Sequence, residues 1–131
     1  MSTLNVSNIS DGSNSTNVEN LVRGSATAWV NFNGTGTVAI RDSYNVNSIT
    51  DEDTGRYRVN FTNAMANTNY CVMATTSKHQ DGDDGNCRIC VGDNGSGSSR
   101  IPTTTSFPLT HTDRNGSHYD SERIYAAVFS N

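Results

Sequence analysis

The chain has 131 residues, of which 33% are hydrophobic and 17% charged, and its net charge at pH 7 is −4. This length fits one domain. The nine Lys and Arg residues are scattered, and this disfavours nucleic-acid binding, because phosphate contacts need a basic face. No stretch approaches the roughly 20 apolar residues of a membrane-spanning helix. We therefore expect neither nucleic-acid binding nor membrane insertion.

Residues 1–25 are rich in Ser and Asn and poor in large apolar side chains. The run Asp11-Gly12-Ser13-Asn14 is a turn signal. Residues 17–22 favour one or two helical turns, which are marginal in water when isolated. We predict an extended N-terminal arm over residues 1–25, used for attachment or oligomerisation, and a β domain over residues 26–131.

From residue 27 onward, apolar and polar residues alternate with a period of two, which predicts half-buried strands. Residues 28–32 have apolar side chains at the even positions. Asn33-Gly34 then favours a tight two-residue hairpin, because both residue types tolerate positive φ. The return strand is expected at residues 37–41, again with its even positions inward.

The middle of the chain contributes three more predicted strands. Residues 46–50 form the first, ended by an acidic turn at residues 51–55. Residues 56–62 show the clearest alternation, with Tyr57, Val59 and Phe61 on one face. Residues 69–76 have apolar side chains on both faces, which suits a central or interfacial strand.

The C-terminal third contains further strand signals. Residues 87–91 are strand-like, and residues 101–112 include Pro102 and Pro108, so a strand there is expected at an edge or interrupted. Residues 121–129 have apolar side chains on both faces. About eight short strands joined by polar turns predict an all-β fold, either an antiparallel β-sandwich or a jelly-roll-like domain. A chain this polar is also expected to oligomerise to bury enough apolar surface.

The segment AWVNFNGTGTVAIRDSYNVNSITD, which starts at Ala28, and TGRYRVNFTNAMANTNY, which ends at Tyr70, resemble a module of bacteriophage tail-fibre and minor virion proteins. A Trp strand, an Asn-Gly hairpin, the SIT-D turn and the Y-x-V-N-F-T strand occur in the same order and spacing. The likeness covers residues 28–70 and extends loosely to residues 124–129. It implies a β-rich structural domain of the virion, made in the host cytoplasm, usually homotrimeric and without a reaction of its own.

Three groups of residues have metal-ligand chemistry. Cys87-x-x-Cys90 with Cys71 resembles part of a zinc site, but structural zinc takes four ligands. We expect these cysteines to be buried small side chains, with a disulfide from Cys71 as an alternative. The other two groups are expected to be solvated loops without metal: His111, Asp113 and His118 around one turn, and Asp81, Asp83, Asp84 and Asn86 in an acidic loop.

Function is expected in the loops at residues 78–86, 93–100 and 111–119, which are available to touch a host cell-surface glycan or protein. Aromatic stacking and multidentate hydrogen bonding suit a glycan, so the candidate ligand-binding residues are Arg100, Arg114, His118 and Tyr119. No nucleophile elbow, phosphate loop or zincin helix occurs. We therefore expect no catalytic residue, no cofactor and no enzymatic activity, a depolymerase being the least favoured reading. The alternative is an architectural capsid-decoration or tail-connector protein whose arm binds other virion proteins.

Overall fold

The computed structural model describes residues 1–3, 5–77, 88–92, 100–113 and 115–130. Within these ranges the chain forms short strands and one short helix, and all strand pairings are antiparallel. The all-β prediction is confirmed. In chain order the elements are β1 (Asn8–Ser10), β2 (Ser15–Asn17), α1 (Val18–Gly24), β3 (Ala28–Asn33), β4 (Ala39–Tyr44), β5 (Val46–Asp53), β6 (Arg56–Phe61), β7 (Cys71–Thr76), β8 (Arg88–Val91), β9 (Ser106–Thr112) and β10 (Ile124–Phe129).

Eight of these strands form two four-stranded sheets. Sheet 1 has the order β4-β3-β10-β7, and sheet 2 has the order β5-β6-β9-β8. The inner faces of both sheets contribute to one hydrophobic cluster. Across it, the rings of Phe32 from sheet 1 and Tyr57 from sheet 2 meet edge to face at 5.3 Å. The alternation read from the sequence is confirmed in β3 and β6, which bury every second side chain. β10, which was expected to be apolar on both faces, buries its even positions.

The connection between β3 and β4 differs from the expected two-residue turn. Residues 34–38 join the strands, and Asn33 pairs with Ala39. The Asn33 Oδ1 atom accepts hydrogen bonds from the Thr35 amide and hydroxyl, and the positive φ of 61° falls at Gly36. Gly34 serves another purpose, because a Cβ atom there would lie 2.5 Å from the Tyr57 hydroxyl.

The segment at residues 101–112 also departs from expectation. β9 lies inside sheet 2, between β6 and β8, and is buried along its whole length. Pro108 is tolerated because its backbone faces the end of β8: the Pro108 carbonyl accepts from the Gly92 amide, just beyond Val91. The N–H that proline lacks would point to that same side, where the strand pairing has already ended.

Two other strands have bounds or positions that the sequence did not predict. β5 continues through the acidic residues to Asp53, so the turn to β6 is only Thr54-Gly55. β7 is an edge strand of sheet 1 and not a central one.

Residues 5–25 form a small unit of their own. The Asp11 carboxylate accepts from the Asn14 and Ser13 amides in the turn between β1 and β2, and these bonds hold the pKa of Asp11 below its usual value. α1 begins after Asn17, whose side chain accepts from the Glu19 amide, as is typical of an N-cap. The turn and the helical turns predicted here are present, and none of these described residues is buried.

Candidate interaction surface

The outer face of sheet 1 has a row of large apolar side chains that crosses all four strands. The register places Tyr44, Trp29, Ala127 and Met73 side by side, one from each strand. Side chains at directly paired positions of neighbouring strands lie close enough to touch. Met73 is 64% exposed and Tyr44 is 58% exposed, so in one copy of the chain this row faces solvent.

Further side chains flank this row on both sides. On one side of Ala127, Tyr125 lies beside Asn31, and on the other side Phe129 pairs with Cys71. Trp29, Met73, Tyr125, Ala127 and Phe129 line a shallow groove of about 460 Å³. We name this groove and the Tyr44 ring beside it the aromatic face. A contiguous apolar patch of this kind on a polar chain typically marks a contact surface.

The aromatic face also contains one buried polar atom that lacks a partner. The Oδ1 atom of Asn31 is shielded from solvent and accepts no hydrogen bond from the described residues. Burying an acceptor without a donor costs about 1–3 kcal/mol.

The outer face of sheet 2 is polar, and its charged side chains pair with one another. Glu52 at the end of β5 accepts from Arg58 Nε at 2.6 Å, and its second oxygen lies 3.1 Å from Arg100 Nη2. The same Arg100 nitrogen donates to the carbonyls of Tyr57 and Leu109, on the adjacent strands β6 and β9. The side chain of Arg100 is only 10% exposed. This arginine therefore fixes the chain after residue 99 to the sheet.

The four candidate ligand-binding residues do not form one cluster. Arg100 is held in sheet 2 as described, and Arg114 lies outside the described residues. His118 and Tyr119 are neighbours beside the β5–β6 turn. There the Nε2 atom of His118 lies 3.3 Å from Arg56 Nε, and Tyr119 is 36% exposed. Arg56, which the sequence analysis did not single out, is thus part of this small polar site.

A buried network fixes the segment that carries His118 and Tyr119. Asp120 Oδ1 accepts from the Gly55 amide and lies 2.8 Å from the Tyr57 hydroxyl. Burial and the Asp120 carboxylate raise the pKa of Tyr57 far above its usual value. His111 is fully buried, with Nδ1 2.7 Å from the Tyr119 carbonyl. The segment is therefore rigidly positioned and presents the Tyr119 ring to solvent.

The three groups of candidate metal ligands lie partly within the described residues. Among the described residues no group of His, Cys, Asp and Glu could hold a metal ion. The acidic loop at residues 81–86 and Cys87 lie outside the described residues. Cys71 and Cys90 are free and exposed, so the expectation that they are buried is wrong, and they form no disulfide with each other. His111 and Asp113 are buried, so the solvated-turn prediction is wrong for both.

The aromatic face was not identified from the sequence, although a signal was present. Large apolar residues also occur at odd positions: Trp29 in β3, Met73 in β7, and Tyr125 and Phe129 in β10. Apolar residues on both faces of β7 and β10 were expected from the sequence, but nothing in it placed the two strands in the same sheet as Trp29.

Comparison of the chain with protein-family models, with curated proteins and with solved structures found no match. No helix in the described ranges is long and apolar enough to span a membrane.

Proposed function

We propose that this chain is a structural protein of a bacteriophage virion, a tail-fibre-like appendage module that folds as a β-sandwich and assembles as a homotrimer through the aromatic face. The observation that carries the proposal is the row Tyr44, Trp29, Ala127 and Met73, which leaves an apolar surface open to water across a whole sheet. The resemblance of residues 28–70 to virion modules supports the assignment to a bacteriophage virion.

Self-assembly follows from the energetics of this surface. Apolar surface removed from water contributes about 25 cal/mol per Å². Three exposed aromatic rings in one face are costly for a chain whose composition leaves little apolar material for the core. Association of copies through this face would bury the rings, and a closed ring of copies leaves no open patch for further growth.

A role in recognition of the host surface rests on the His118 and Tyr119 site. An exposed tyrosine on a rigid segment, beside an arginine and a histidine, combines a stacking surface with hydrogen-bond donors, as a weak glycan site requires. Display on three copies would raise the apparent affinity without new contacts. Arg114 stays a candidate from the sequence alone, whereas Arg100 is better assigned to sheet stability.

The burial of Arg100 favours the second candidate function, which is a purely architectural capsid-decoration or tail-connector protein with no ligand. In that case residues 1–25 attach the module to other virion proteins. Glycan-array binding by the wild type that is lost in Tyr119→Ala would support recognition. Tight binding to particles without any glycan binding would support architecture.

The assembly is tested by native mass spectrometry of the purified chain and its variants. The wild type should have three times the chain mass, and Met73→Glu should shift the population to monomer, because a carboxylate cannot be buried in an apolar interface. Thr50→Glu is the matched control, since Thr50 is exposed on the outer face of sheet 2 and should leave the mass unchanged. A monomeric wild type at high concentration would rule out assembly, and antibody labelling of intact virions tests the location.

A further inference from the structure

α1 is a second apolar surface of this chain, and none of its residues is buried by the part of the chain that the structure describes. Val18, Leu21 and Val22 lie at the i, i+3 and i+4 positions that share one helix face. Leu21 is 47% exposed and Val22 is 59% exposed. The opposite face contains Glu19 and Arg23, which form an i,i+4 ion pair. A seven-residue helix is marginal in water by itself, so this amphipathic pattern indicates a helix that is stabilised by docking.

No hydrogen bond between described residues joins residues 5–24 to either four-stranded sheet. After α1, Ser25 is extended, with φ −89° and ψ 136°. The Thr27 amide is bound to the Val128 carbonyl. Three residues span at most about 10 Å, so α1 stays close to the start of β3, yet none of its residues is buried among the described parts of the chain.

The dimensions of α1 match those of the groove in the aromatic face. A helix of seven residues is about 10 Å long and about 10 Å across. Three strands at a spacing of about 4.8 Å place the outer two about 10 Å apart, and the groove is lined by three strands, β3, β7 and β10. The side chains of Leu21 and Val22 therefore suit a groove whose lining is almost entirely apolar.

The area of the aromatic face also favours a further element in the contact between copies. Four strands of six residues cover about 19 by 20 Å, or about 400 Å², whereas a stable interface buries about 800 Å² on each partner. The outline of the face is about half of that area. Docking of an exposed arm would bury the helix and the face together and approach the required area.

We propose that α1 of one copy packs its Val18, Leu21 and Val22 face into the groove formed by Trp29, Met73 and Tyr125 of a second copy. This contact rests on the proposed assembly and specifies which segment fills the groove. The arm is exchanged between neighbouring copies. It is a head-to-tail contact, which closes into a ring when the rotation between copies allows it.

The first test compares two arm variants by native mass spectrometry across a dilution series. Leu21→Asp should weaken association about tenfold or more, because it removes a buried leucine from the contact. Asn20→Asp adds the same charge on the polar side of the helix and should associate like the wild type. Unchanged thermal melting of the monomer would show that both variants fold.

The second test detects exchange directly by thiol cross-linking. One chain carries Leu21→Cys with Cys71→Ser, and its partner keeps Leu21 and Cys71, which is exposed beside Phe129. Cys87→Ser and Cys90→Ser are present in both. A short bismaleimide should join residue 21 of the first chain to Cys71 of the second, and the product should have the summed mass.

The outcomes separate the two proposals. A wild type that stays monomeric overturns the assembly and the arm exchange together. An oligomer that is equally stable in Leu21→Asp and Asn20→Asp and gives no cross-link between chains overturns the arm exchange alone. A Leu21→Cys chain with Cys71 intact that cross-links only within itself also overturns the exchange.

Discussion

The outer faces of the two sheets differ in how their side chains are satisfied. On sheet 2, Glu52 pairs with Arg58 and Arg100, and Arg100 also binds the backbone, so these charges are paired within one chain. On sheet 1, Trp29, Met73 and Tyr125 face solvent, and Asn31 Oδ1 has no donor among the described residues. The difference separates two kinds of stability: damage to sheet 2 should impair folding, and damage to the aromatic face should impair association.

The largest effect on folding is expected at the turn that begins sheet 2's central strand. Gly55 has φ +65°, and a Cβ atom there would lie 2.6 Å from the His111 carbonyl oxygen and 2.8 Å from the Tyr119 amide nitrogen. Because backbone atoms must move, Gly55→Ala should lower the free energy of unfolding by about 3 kcal/mol. Urea denaturation measures this change.

Gly36→Ala provides the matched control for this turn. Gly36 has φ +61°, but no atom lies within 4 Å of the added Cβ position. The cost should be about 1 kcal/mol, from backbone strain alone. Equal losses in both variants would contradict the role of the Gly55 contact in joining the turn to residues 111 and 119.

The second effect tests whether the ion pairs on the outer face of sheet 2 stabilise the folded chain. Glu52→Gln removes the carboxylate charge that pairs with Arg58 and with the mostly buried Arg100, so the free energy of unfolding should fall by about 1–2 kcal/mol. Glu122→Gln is the control, because its pair with Arg41 is exposed and 3.7 Å long and should contribute less than about 0.5 kcal/mol. If Glu52→Gln changed the oligomer mass and not the stability, the contrast between the faces would be wrong.

A smaller loss of stability is expected at alkaline pH and arises in the core that both sheets share. It is absent at neutral pH. Burial raises the pKa of Tyr70 to about 12 and that of Tyr57 further, whereas an unfolded tyrosine titrates near 10. Because the pKa values of both tyrosines are higher in the folded state, their contribution to the free energy of unfolding is fully present below about pH 10. This stability is lost as the pH rises toward 12.

The alkaline loss is measured by urea denaturation at pH 9 and pH 11. The free energy of unfolding should be lower at pH 11, and Tyr70→Phe should reduce the difference by removing one of the two phenols. A difference of the same size in Tyr70→Phe would contradict the assignment to Tyr70. Because the core is common to both sheets, the loss should also occur in the Met73→Glu variant.

Substitutions on the aromatic face should change the free energy of unfolding by almost nothing. Association through this face can instead be followed by the fluorescence of Trp29. Trp29 is the only tryptophan of the chain and is 38% exposed. As the protein concentration rises through the association range, its fluorescence should shift to shorter wavelength and acrylamide quenching should decrease, because the ring becomes buried. Thr50→Glu should behave like the wild type. In Met73→Glu the spectrum should not depend on concentration, and a dependence that persisted would place the contact elsewhere.

The sequence alone was sufficient where a signal depends on local spacing. The alternation in β3 and β6 was predicted residue by residue, because the side-chain period of a strand is a property of the backbone. The Asp11 turn and the short helix after Asn17 were likewise local. The acidic stretch at residues 51–53 was read as a turn because its charges suggested exposure, although an exposed outer strand accommodates them.

The order of strands in each sheet could not be derived from the same signals, because pairing between β3 and β10 joins residues about 100 positions apart. That order alone places Trp29 beside Ala127 and Met73 and creates the aromatic face. It also makes Arg100 a buried link and not a ligand contact, and it permits Pro108 inside a sheet, opposite the point where β8 ends. Local spacing thus determined which side chains turn inward, and only tertiary pairing decided which outward ones became neighbours, since contact depends on position in space and not on distance along the chain.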